Sequence, residues 1–97
     1  MEDRQTYILK NTFIRGTMGM LNDWRMDRKD EAYQYLMDVT GSTTEDDIIP
    51  LLRGKSIDDL VVINAHTATF LTPHLKYSSE SALTAEAYKE YGKYKGD

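Results

Sequence analysis

Residues 7–26, YILKNTFIRGTMGMLNDWRM, constrain the fold more than any other stretch of the chain. At 100° per residue Leu9, Phe13, Met20 and Trp24 share one sector of a helical wheel, and Tyr7, Ile14, Met18 and Leu21 occupy the sector beside it. Together they cover about half the cylinder, so this helix belongs at the centre of a helical core or in an oligomer. Gly16 and Gly19 interrupt the pattern, and an interior glycine costs about 1 kcal/mol relative to alanine. Two outcomes fit: a break near Gly16 to Gly19, or another helix crossing closely there.

The segments that follow also read as helices. Asp27 or Asp30 is placed to cap DEAYQYLMDVTG, in which Ala32, Tyr33, Leu36, Val39 and Thr40 share a face and Gly41 supplies a C-terminal stop. In GSTTEDDIIPLLRG, Thr43 with Asp46 or Thr44 with Asp47 has capping-box spacing, and Ile48, Leu51 and Leu52 supply a buried face. Pro50 must lie near the start of that helix, because farther in it would remove a backbone hydrogen bond and clash with the preceding turn; the helix is therefore short and ends at Gly54. Ser56 with Asp59 repeats the capping spacing ahead of LVVIN, residues 60–64. That run is β-branched enough for a buried strand, but no alternating partner strand occurs in the chain, so it is assigned to a helix ending before Pro73. A last helix carries Leu83, Ala87, Tyr91 and Tyr94, with Glu86–Lys89 and Glu90–Lys93 at the spacing of helical ion pairs; residues 92–97 are expected to fray. The reading is all-α: a single small domain over residues 1–97 with four or five short helices.

Composition narrows the function. The chain has no cysteine, which removes disulfides, thiolate catalysis and cysteine zinc sites together. A formal net charge of -4, from 12 basic and 16 acidic residues, repels phosphate on average. Basic residues gather only at Arg25, Arg28 and Lys29 and at Lys89, Lys93 and Lys95, each group diluted by acids. MEDRQTYILK does not read as a secretory signal, and the longest aliphatic run, Leu60 to Ile63, is far short of the roughly 20 residues of a membrane span. A cytoplasmic location without a membrane partner is the expectation.

Chemical motifs are sparse. RGKS is not a phosphate-binding loop, because isoleucine occupies position 49 where that motif needs glycine. LLRGKSIDDL resembles the start of a LuxR-type helix-turn-helix, but the downstream apolar and threonine positions slip by a residue and no small residue follows Leu60; the family is not assigned. A helix-turn-helix DNA reader using residues 48–72 would present Arg53, Lys55, Thr67 and Thr69 to nucleic acid. Base readout favours Arg, Lys, Asn and Gln, and HTATFLTPHLK offers mainly threonines and histidines. His66 and His74 lack metal-ligand spacing, and each is read as a partly buried, hydrogen-bonded imidazole. Asp46 with Asp47 and Asp58 with Asp59 sit at helix starts, where the helix dipole accounts for them. No serine lies in a nucleophile elbow. No enzyme, cofactor or metal signature emerges.

What remains is aromatic surface. AYKEYGKYKGD spaces Tyr88, Tyr91 and Tyr94 three residues apart with lysines between them. Tyrosine joins large apolar area to a hydroxyl and few rotamers, which suits interfaces. The expectation is a small non-enzymatic protein-binding module, a regulator, adaptor or inhibitor that docks on a larger protein through Tyr88, Lys89, Tyr91 and Tyr94 and associates with copies of itself. Helix-turn-helix DNA binding is the alternative.

Overall fold

The structure, a computed structural model, describes residues 3–23, 26–71 and 88–93. Helix α1 spans Arg4–Leu21, α2 spans Lys29–Thr40, a 3-10 turn at Glu45–Asp47 leads into α3 at Ile48–Arg53, and α4 spans Ile57–Ala68. Residues 88–93 are helical and are called α5. The domain is small and all-α. Among the described residues the one extended pairing is an isolated antiparallel bridge between Met26 and Leu71.

Helix α1 starts at Asp3, whose carboxylate accepts from the Thr6 amide at 2.8 Å, and it runs unbroken through both glycines. The close crossing is the outcome realised. Gly16 and Thr17 are buried, and the Asn64 side-chain amide on α4 donates to the Thr17 hydroxyl at 3.0 Å. Beyond both helix ends, Met26 pairs with Leu71, so α1 and α4 run in the same general direction. Leu9, Phe13, Ile14, Met20 and Leu21 are buried as the wheel predicts, whereas Tyr7 is 53% exposed. Trp24 falls beyond the end of α1 and outside the described residues.

Neither Asp27 nor Asp30 caps α2. Arg28 occupies the cap position without a side-chain cap bond, and Asp30 lies inside the first turn beside Glu31, where a carboxylate acts on the helix dipole rather than on one amide. The stop at Gly41 is as expected: its φ of 76° is left-handed, and the amides of Gly41 and Ser42 both donate to the Met37 carbonyl, at 2.9 and 3.0 Å. Before α3, the Thr44 hydroxyl bonds the Asp47 carboxylate at 3.1 Å rather than a backbone amide. Only Ile48 and Leu52 of α3 are buried, and Leu51 is 41% exposed. One and a half turns present a single i, i+4 pair to the core, and Leu51 lies off it.

LVVIN is helical. The Ser56 hydroxyl accepts from the Asp59 amide at 3.1 Å to start α4, and burial of Ile57, Leu60 and Ile63 against α1 outweighs β-branched propensity. Ser56→Ala is expected to destabilise the domain by about 1 kcal/mol through loss of this cap, read as a lower urea midpoint at unchanged m-value. An unchanged midpoint would mean that α4 is held by packing alone.

Candidate protein-docking face

Helix α5 is fastened to the core by its tyrosines. The Tyr88 and Tyr91 rings stand edge-on to the fully buried Phe13 ring, with centroids 5.4 and 6.2 Å away and interplanar angles of 84° and 88°. The Tyr88 hydroxyl donates to the Val61 carbonyl at 3.3 Å, and the Tyr91 hydroxyl donates to the Asp58 carboxylate. Burial raises the Tyr88 phenol above its ordinary value, which keeps the proton that this hydrogen bond uses. Of the residues expected at an interface, Tyr88 and Tyr91 are therefore half-buried anchors, Lys89 is exposed beside them, and Tyr94 lies outside the described residues.

That anchoring creates a groove. Arg4, Gln5, Ile8, Leu9 and Thr12 form a stripe on α1 at i, i+1, i+4, i+5 and i+8, and Glu90 of α5 faces it across an open depression of about 470 Å³. Ile8 is 52% exposed over this depression. Leu9 supplies a buried apolar floor, while Arg4 and Glu90 place opposite charges on the rim. Sequence reasoning missed Ile8, Arg4, Thr12 and Glu90. The available signal was an isoleucine that belongs to neither apolar sector of the α1 wheel, which left a large side chain without a core to enter.

The alternative nucleic-acid residues are dispersed. Arg53 ends α3 and is exposed, and Lys55 is partly exposed in the turn. Thr67 is fully buried with its hydroxyl donated to the Ile63 carbonyl at 2.8 Å, and Thr69 donates to the His66 carbonyl at 2.6 Å. Asp58 and Asp59 occupy the first turn of α4, both exposed.

A second aromatic group closes the other end of α4. His66 is exposed rather than partly buried, and its ring stacks on Tyr35 of α2 at 4.1 Å and 17°. Phe70 lies 5.7 Å from the imidazole. The Arg28 guanidinium covers Phe70 at 5.0 Å from the ring centroid and donates to the Thr69 carbonyl at 2.7 Å. This cluster ties α2 to the end of α4. Its arginine is held by a carbonyl and by Asp27 and Glu31, each 3.8 Å away. His74 lies outside the described residues. Among the described residues no group of three His, Cys, Asp or Glu side chains could hold a metal ion, and no helix is long and apolar enough to cross a membrane. The chain matches no known protein family, no curated protein and no solved structure.

Proposed function

We propose that this chain is a non-enzymatic protein-binding module, a cytoplasmic regulator, adaptor or inhibitor that docks on a larger protein through the face shared by α1 and α5. The carrying observation is Ile8, half-exposed above an apolar groove whose far wall is fixed to the core by Tyr88 and Tyr91. A single exposed aliphatic residue is ordinary on a protein surface. A preformed groove beside it is a different matter, since a rigid wall lowers the ordering cost of binding. The tyrosines act here as the support of the docking face, with Lys89 and Lys93 exposed on α5. The test is capture by the tagged chain from nuclease-treated lysate. A stoichiometric protein should be retained by the wild type and by Val62→Glu, which alters an exposed residue of α4, and lost with Ile8→Glu. Equal capture by all forms would remove this face from the proposal.

DNA reading remains the second proposal because α3, the turn at Gly54 and the Ser56-capped α4 follow one another as helix, turn and helix over the residues named for it. It is the less supported one. Base-contacting residues enter the groove from the N-terminal part of the second helix, where this chain carries Asp58 and Asp59. If DNA is the ligand, duplex affinity falls steeply with salt, and Arg53→Glu with Lys55→Glu abolishes it. Salt-independent or absent duplex binding removes this proposal.

A further inference from the structure

We infer that the face shared by α1 and α5 pairs with the same face of a second copy of this chain about a two-fold axis, an inference that rests on the docking reading above. A two-fold interface uses one patch twice, so the patch must carry both members of every complementary pair. This one does. Ile8 is a projecting apolar side chain, 52% exposed, and the depression that would receive its equivalent lies on the same stripe. Arg4 and Glu90 bring both signs of charge to the rim of that depression, so the two-fold sets Arg4 of one protomer against Glu90 of its partner. Glu90 also lies 3.6 Å from Lys93, with both side chains more than half exposed; such a solvated pair holds the carboxylate weakly. The opposing rim charges matter because each chain carries a formal net charge of -4, and two copies otherwise repel.

The size of the patch sets the strength of the pairing. From Arg4 to Thr12 the stripe runs about 12 Å along the helix axis at 1.5 Å per residue, short of the extent behind a standard interface of about 1,600 Å². Such a dimer is weak and exchangeable. Self-pairing covers Ile8 in the free chain, and a larger partner displaces the second copy from the same face.

Sedimentation equilibrium of the purified chain, from about 10 µM to 1 mM, tests this over the range a small face reaches. A monomer–dimer equilibrium is expected, weakened about tenfold or more by Ile8→Glu, which replaces the inserting apolar side chain with a carboxylate and diverts Arg4, four residues earlier on the same stripe, from the partner's Glu90. Arg4→Glu and Glu90→Arg should each weaken it about two- to fivefold, as a solvated ion pair allows, and the two together should restore it. Circular dichroism of each variant checks that the fold is retained. A monomer at the highest concentration, a dimer indifferent to Ile8→Glu, or a charge exchange that restores nothing overturns the inference. A monomer that still captures a larger protein through Ile8 leaves the docking reading standing and removes self-pairing. A dimer lost with Ile8→Glu alongside no capture does the reverse.

Discussion

Phe13→Ala is expected to lower the stability of the domain by about 3–5 kcal/mol, the usual loss for deleting a buried phenylalanine, and to release α5. Domains of this size have about 5–15 kcal/mol in total, so this substitution removes a large share. Phe13 is fully buried in α1, and both described tyrosines of α5 rest edge-on against its ring. Edge-to-face pairs contribute about 0.5–1.5 kcal/mol each beyond the area they bury. Deleting the ring therefore opens a cavity in the core and removes the surface on which α5 is seated. Phe13→Leu separates the two effects: it keeps most of the apolar volume, loses both ring contacts, and should cost about 1–3 kcal/mol. Urea unfolding followed by circular dichroism gives the midpoints, and amide hydrogen exchange at residues 88–93 reports the release of α5. If Phe13→Leu leaves the midpoint and the exchange of these residues at wild-type values, the hydroxyl bonds of Tyr88 and Tyr91 hold α5 without the rings.

The fold was largely legible because its signals are local. Helical spacing named Leu9, Phe13, Ile14, Met20 and Leu21 on α1, and Gly41 and Ser56 mark a stop and a start by single backbone requirements. The errors also have local causes. Asp27 and Asp30 were credible caps, but the chain enters α2 with Arg28 at the cap position, one residue after Asp27 and two before Asp30, and a six-residue α3 had no room to bury Leu51. The groove was not legible, because it exists only where α5 returns to α1 across more than seventy residues of sequence, and spacing within one segment cannot register that approach. Tyr88 and Tyr91 were read as interface residues, and the structure places them half-buried against the core. Their rings turn toward Phe13 because an aromatic partner and two acceptors, the Val61 carbonyl and the Asp58 carboxylate, are waiting on α1 and α4.

Thr17→Val is expected to cost about 1–3 kcal/mol, and adding Asn64→Leu to recover most or all of that loss. Asn64 and Thr17 are 1% and 2% exposed at the crossing of α1 and α4, joined by one hydrogen bond of 3.0 Å, while the Asn64 Oδ1 is buried without a partner. Removing the threonine hydroxyl strands both ends of the asparagine amide, and a buried polar group left unpaired carries a desolvation cost of about 1–3 kcal/mol. Removing the asparagine is the gentler change, because a helical threonine hydroxyl can bond the carbonyl four residues earlier, and leucine keeps the branching of the asparagine side chain, with two bulkier methyls that the crossing must accommodate. The double variant replaces a half-satisfied polar pair with apolar contact, which is often neutral or stabilising. The pair's contribution then lies in selecting how α4 sits on α1, since a polar group in a helix interface specifies register at a cost in stability. A double-mutant cycle in urea gives the coupling, and the m-value with dye binding to exposed apolar surface shows whether the double variant keeps one well-packed arrangement. Looser packing at equal or greater stability supports a register role. Thr17→Val within about 0.5 kcal/mol of wild type would mean that the amide is satisfied in another way, and the crossing would then be set by Gly16 and its apolar neighbours alone.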